Sequence, residues 1–218
     1  MTIAENLDKI LSEIPSSVRL VAVTKKKPVT AIKEAYHYGI RDFAESRVQE
    51  AILKQEELQD HKDICWHFIG HIQTNKAKKI LENFHWIHSV DSLKLAEHLD
   101  KLAAKTSIYP HVCLQVKLLP DPNKYGWEVM EFWQDLPKLE PLKHLKIEGL
   151  MTILPLGLSE NECLETFEKT KELATKINEK SSLQLKELSM GMSNDYLLAV
   201  EKGATMIRLG SIIFGARN

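Results

Sequence analysis

The sequence predicts a parallel (β/α)8 barrel of TIM type preceded by one extra helix, and three observations lead there. Short apolar runs recur eight times, at residues 20–24, 42–45, 66–70, 86–90, 112–118, 147–154, 186–190 and 206–210. Nearly every run is followed by a polar or glycine-bearing junction and then a segment of helical periodicity; strands alternating with helices imply a parallel sheet with helical crossovers. The runs are apolar on both faces, as strands covered on both sides must be, and eight repeats in 218 residues fit a barrel at the small end of its range. The competing architecture is an open doubly wound sheet. No G-x-G-x-x-G follows the first strand, which weakens the dinucleotide-binding form of that alternative.

The elements justify themselves in order. At the start, "MTIAENLDKILSEI" pairs Thr2 with Glu5 as a capping box and repeats Ile3, Leu7, Ile10, Leu11 and Ile14 on one helical face. It carries no basic region followed by an apolar run, so it reads as the extra helix and not as a signal peptide. Pro28 suits the first turn of "VTAIKEAYHY" and Gly39 its C-terminal cap. "NKAKK" at 75–79 is a basic helix start with a solvated face. Asp91 and Ser92 can cap "LKLAEHLDKLAAK", in which Leu95, Leu99 and Leu102 face one way. "LLPDPNKYGW" at 118–127 is one longer loop. Ser159 with Glu162 makes a second capping box before "CLETFEKTKELATKI", and Gly203 can end a short helix that starts near Asp195. Residues 1–218 are read as a single domain.

Composition narrows the function classes. Basic and acidic residues nearly cancel, 29 against 30, so the charge balance points to neither nucleic acid nor an anionic membrane as partner. No stretch approaches the roughly 20 apolar residues of a membrane span. The three cysteines, Cys65, Cys113 and Cys163, are odd in number and form no close pair, which argues for a reducing compartment and a cytoplasmic protein. His67, His71, His85 and His88 invite a metal reading, but no carboxylate or cysteine pattern completes it, and no metal is expected. The four tryptophans are expected in barrel and helix packing, not as a stacking platform for bases.

In a parallel barrel the C-terminal ends of the strands build the active face. Polar groups accumulate there: Thr24 and Lys25; Glu45 and Ser46; Gly70, His71, Gln73 and Asn75; Ser89 and Asp91; Lys117; Met151 and Thr152; Ser189 to Ser193; Arg208 to Ser211. "SMGMSNDY" and "RLGSIIFGA" each set glycine and serine before a helix start, where free N–H groups and the helix dipole bind anions, and barrels commonly seat a phosphate in this position. Plain capping by Ser193, Asn194 and Asp195 would use the same residues. Lys25 ends the first strand and so faces the same mouth. Lysine is the side chain that forms a Schiff base with an aldehyde once its amine is deprotonated. Lys26 and Lys27 are expected exposed at the helix entrance. Arg208 lies on the strand leading into the second anion junction; arginine is one of the groups that meet the pyridine nitrogen of pyridoxal phosphate, although a strand arginine can equally serve a salt bridge.

These residues together resemble the family of pyridoxal phosphate homeostasis proteins, related in fold to the N-terminal barrel of alanine racemase. The matching stretches are "VAVTKKKP", "DFAESRVQEA", "WHFIGHIQTNK", "HSVDS", "KIEGLMTI", "LSMGMSNDY" and "MIRLGSIIFGAR", in the family's order across residues 21–217. The resemblance implies a monomeric barrel carrying pyridoxal 5'-phosphate as a Schiff base on Lys25. The phosphate would be held around Ser193 and Ser211, and Arg208 would meet the ring nitrogen. Ser46, Asn75, Met192 and Gly210 complete the cofactor-binding set. It further implies a non-catalytic role in vitamin B6 and in amino-acid and keto-acid homeostasis, with pyridoxal phosphate-dependent apo-enzymes as the class of protein partner. Thr24 stands where serine is common, Ala44 and Ser46 replace a frequent glycine and asparagine, and Lys117 replaces a frequent asparagine. An amino-acid racemase on the same cofactor is the alternative, disfavoured because no β-rich domain follows to supply a second base. A Schiff-base lyase of sugar phosphates is weaker still, since it leaves Arg208 without a task.

Overall fold

The alternating pattern closes on itself. A computed structural model describes residues 2–215 and contains the strands β1 (Arg19–Val23), β2 (Asp42–Glu45), β3 (Cys65–Phe68), β4 (Trp86–Val90), β5 (His111–Lys117), β6 (Trp127–Glu128), β7 (Lys146–Met151), β8 (Glu187–Ser189) and β9 (Met206–Leu209). Eight of them run β4-β3-β2-β1-β9-β8-β7-β5, and β4 pairs with β5 to shut the ring. Every pairing is parallel. The short β6 lies along β5 and was not foreseen; it forms where the 118–127 loop returns to the sheet. That loop is tied down by Tyr125, whose ring stacks on His71 at 3.7 Å and whose carbonyl accepts from Gln115 Nε2 at 2.8 Å.

The helices are α1 (Ile3–Glu13), α2 (Val29–Tyr38), α3 (Val48–Glu57), α4 (Ala77–Asn83), α5 (Leu93–Thr106), α6 (Val129–Leu139), α7 (Glu160–Lys180), α8 (Tyr196–Glu201) and α9 (Ser211–Phe214). Both capping boxes form, at Thr2 with Glu5 and at Ser159 with Glu162, and Ser92 caps α5. Gly39 ends α2 at φ 119° and Gly203 follows α8 at φ 91°, a left-handed backbone that a residue without Cβ adopts freely. Pro28 is the N-cap of α2, one position before the first helical turn where it was expected. None of the described helices is long and apolar enough to cross a membrane.

Burial is divided between two compartments. The larger lies between the ring and the helices and contains the fully buried Phe43, Phe68, Phe132 and Phe167. Each such side chain contributes about 1.5–3 kcal/mol, which is what fastens the helices to the ring. The smaller lies inside the ring and contains Val21, Val23, Ala44, Trp86, Cys113, Met151 and Met206. Polar groups share that interior: His67, His88, Gln115, Ser189 and Arg208 are all buried. A buried polar group is costly unless hydrogen-bonded, so this content has to be networked.

The closing seam is the pairing of the first strand with the last. Arg19, Leu20, Val21 and Ala22 lie beside Met206, Ile207, Arg208 and Leu209. The extra helix α1 straps that seam from outside: Asn6 Nδ2 donates to the Ile213 carbonyl at 2.9 Å, and the Tyr196 hydroxyl donates to the Glu13 carboxylate.

Candidate functional site

Strand alternation decides which residues reach the barrel mouth. Val21 and Val23 face the interior, so Lys25 continues their period-two series past the end of β1. On β9 Met206 and Arg208 lead in the same way to Gly210, and on β7 Met151 leads to Ile153. These series converge on a cavity of about 470 Å³ lined by Lys25, Met192, Ser193, Arg208, Gly210 and Ser211 among others. Six of the eight residues singled out from sequence therefore share one chamber. Ser46 and Asn75 do not line it. The Ser46 carbonyl packs against Gly70, where an added Cβ would stand only 2.1 Å from it. Asn75 sits exposed in the 3-10 turn Thr74–Lys76.

Lys25 is held by a clamp that the sequence did not reveal. The Lys27 amide donates to the Thr24 carbonyl at 2.9 Å, closing a tight turn with Lys26 at φ 61°. The Lys26 amide donates to Glu50 Oε1 at 2.6 Å. Thr24, fully buried, donates its hydroxyl to Glu45 Oε1 at 2.6 Å, and Lys54 Nζ bridges Glu45, Glu50 and the Thr24 carbonyl at 2.7, 2.7 and 2.8 Å. Burial pushes the Glu45 carboxyl above its ordinary range, against the hydrogen bonds from Lys54 and Thr24. Lys27 departs from the expected exposure. It is half-buried, lines the cavity and donates to the Phe214 carbonyl at 2.9 Å, because α9 folds back over the start of α2. Lys26 is exposed as expected.

Across the chamber, the turn after β8 is shaped for close approach. Gly191 has φ 93°, and a Cβ there would stand 2.7 Å from that of Ala199. Asp195 Oδ1 accepts from the Met192 amide at 2.6 Å and so braces the turn. Burial raises the Asp195 carboxyl, opposed by that amide and by Arg208. The turn after β9 brings Gly210 against β1, where an added Cβ would meet the Val23 carbonyl at 3.3 Å. The Asp195 and Tyr196 amides donate to the Met192 carbonyl and those of Ile213 and Phe214 to the Gly210 carbonyl, so the groups these turns can offer an anion are those around Ser193, Asn194 and Ser211.

Arg208 lies beneath these turns, 4% exposed. Its Nη1 donates to Ser189 Oγ at 2.6 Å and its Nη2 to the Thr152 carbonyl at 2.9 Å. Burial lowers its pKa to about 10, which leaves it a cation at neutral pH. The remaining wall is the loop after β7, Ile153 to Leu158, in which Leu156 is 88% exposed. The sequence run 147–154 had been read as strand to its end. The strand stops at Met151, and the next residues turn outward to form the wall. Apolar residues in a loop after a strand end were the available signal.

His67 and His88 are buried and hydrogen-bonded, as structural histidines are. The fold does bring a carboxylate and a cysteine to His67: ligand atoms of Asp42, Cys65 and His67 lie within 4.8 Å of one another. The contact depends on the β2–β3 register and has no signature in spacing. The trio is hydrogen-bonded, with His67 Nε2 2.9 Å from Asp42 Oδ1, and burial together with the Asp42 charge pushes the Cys65 thiol up to about 12.

Comparison with known proteins follows the geometry. The family model described as "Alanine racemase, N-terminal domain" matches residues 1–218. A pyridoxal phosphate homeostasis protein of Synechocystis is 59% identical over 96% of both chains. The chain belongs to the pyridoxal phosphate homeostasis protein family. Among solved structures, PipY of Synechococcus elongatus without PLP is 51% identical, with TM-score 0.95 over 98% of this chain and 100% of that one. PipY has also been solved with PLP bound, again at TM-score 0.95. An alanine racemase of Clostridium difficile shares the fold at 18% identity and TM-score 0.82, covering 99% of this chain and 60% of that one.

Proposed function

We propose that this protein binds pyridoxal 5'-phosphate without catalysing turnover, bonds it through the Lys25 amine, and acts in vitamin B6 and in amino-acid and keto-acid homeostasis. One observation carries the reading. An amine, a guanidinium and two helix-opening turns border a single cavity of about 470 Å³, a size suited to a small ligand. The donor set fits the group: a lysine for the aldehyde, N–H-rich turns for the phosphate and Arg208 for the ring nitrogen. The PLP-bound structure of PipY and the names of the curated relatives support the same cofactor. When bound, the cofactor supplies an aldehyde that bonds to amines and a ring that can accept electron density.

The chain's own residues favour holding over turnover. Ser193, Ser211 and their adjacent backbone would bind the phosphate, and the clamp at Thr24 would orient Lys25 toward the aldehyde. Because Arg208 remains protonated, it can only donate, so it would favour a pyridine nitrogen without a proton, and a ring held that way would withdraw electrons weakly. Pyridoxal phosphate-dependent apo-enzymes are the class of protein partner that goes with this reading.

The test is direct. Protein mixed with pyridoxal phosphate should turn yellow, borohydride should fix the cofactor to the peptide carrying Lys25, and Lys25→Ala should lose both signals while Lys26→Ala keeps them. Parent protein that takes up no cofactor would defeat the reading, and Lys25-dependent racemisation of amino acids would replace it with the enzyme.

A further inference from the structure

The hydrogen bonds that hold Arg208 continue beneath it. Ser189 Oγ, the acceptor of Arg208 Nη1, lies 2.7 Å from His88 Nδ1; His88 Nε2 lies 2.8 Å from His67 Nδ1; and His67 Nε2 lies 2.9 Å from Asp42 Oδ1. The five side chains come from β9, β8, β4, β3 and β2 and cross the inside of the ring to its opposite mouth, where Asp42 is 23% exposed. Below Arg208 none of them lines the cavity.

Elementary donor and acceptor rules give the chain a direction. A guanidinium only donates and a carboxylate only accepts, so both ends are fixed. In one arrangement Ser189 gives its hydroxyl proton to His88 Nδ1, His88 gives its Nε2 proton to His67 Nδ1, and His67 gives its Nε2 proton to Asp42. Each donor then meets one acceptor and both rings are neutral. In the other, His67 carries two protons and points one at His88, whose own proton turns toward Ser189. That places an imidazolium at 0% exposure, in the same network as Arg208, and turns two donors onto the one serine oxygen. Burying an ion costs several kcal/mol, so the neutral arrangement is selected.

We propose that Asp42, His67 and His88 are positioning residues. They hold the Ser189 hydroxyl as an acceptor facing Arg208, and Ser189 with the Thr152 carbonyl fixes the plane of the guanidinium presented to the cavity. The inference rests on the reading of Arg208 as the partner of the cofactor ring. A guanidinium held by one acceptor can swing about it; two acceptors on different nitrogens leave one orientation.

The experiment has two arms. Protein without added cofactor, labelled with 15N at histidine, is examined by imidazole correlation spectra at neutral pH, with the two rings assigned from His67→Gln and His88→Gln. Both are expected as neutral Nε2–H tautomers; an imidazolium or an Nδ1–H tautomer at either position overturns the chain. The second arm titrates pyridoxal phosphate. Ser189→Ala should weaken binding by roughly tenfold and move the absorbance band, and Ser189→Thr should restore affinity to within about threefold of the parent. Parent-like affinity and band in a folded Ser189→Ala would sink the positioning role alone. A parent that takes up no cofactor would instead sink the functional reading, and with it the purpose assigned to the chain.

Discussion

Acid should loosen this barrel from the inside. Both His67 and His88 are held below the ordinary histidine value of 6.5 mainly by burial; His88 is depressed further by its neighbours His67 and Arg208, whereas Asp42 pulls His67 partly back. Between the folded and unfolded pKa the unfolded chain binds the proton and the folded one does not, so stability falls as pH drops through about 6.5. From pH 7.5 to 5.0 a ring that stays neutral throughout costs at most about 2 kcal/mol, and the pair at most about 4. For a chain of this size that is a fall in Tm of roughly 8–16 °C. His85, also lowered, by local desolvation and by His111, adds in the same sense. Glu45 and Asp195, raised by burial, act in the opposite sense, because the folded state then holds the proton more tightly. Urea denaturation followed by circular dichroism across this pH range measures the slope. His67→Gln and His88→Gln should each remove about half of the pair's share. An acid slope left unchanged by both substitutions would refute the neutral-ring chain.

Three further outcomes are expected. Lys54→Ala leaves Glu45 buried without its cation and should cost about 3–5 kcal/mol in chemical denaturation, with part recovered in the double variant that adds Glu45→Gln. Gly191→Ala forces a left-handed backbone on a residue with a Cβ and drives that atom toward Ala199, so about 2–4 kcal/mol of stability should go, together with affinity for inorganic phosphate. Tyr125→Ala removes the stack on His71 and should cost about 0.5–1.5 kcal/mol while making the 118–127 loop a faster target for limited proteolysis.

The barrel was legible because its cause is local. Each apolar run and each capping signal, such as Ser159 with Glu162, acts within a few residues. Lys25 and Arg208 were legible for a related reason: a strand end announces its inward series through Val21, Val23 and Met206. Contacts that depend on register were not. Nothing in spacing joins Asp42 to His67 or Lys54 to Glu45, since each pair meets only after neighbouring staves and helices align. The cavity wall at 153–158 was hidden by apolarity, which marks buried strand and ligand-facing loop alike. Ser46 ends the stave next to β1, yet its carbonyl is spent packing on Gly70, and Asn75 faces outward from its turn. Sequence position alone could not tell a strand-end residue that faces the chamber from one that flanks it.

The seam between β1 and β9 carries a consequence for synthesis. Lys25 leaves the ribosome well before the turns after β8 and β9 that would face it across the cavity, and a half-finished ring exposes bare strand edges with no cradle between them. Ligand retention is therefore a report on completed closure. On the proposed reading, a newborn chain would keep the cofactor only once β9 has paired with β1.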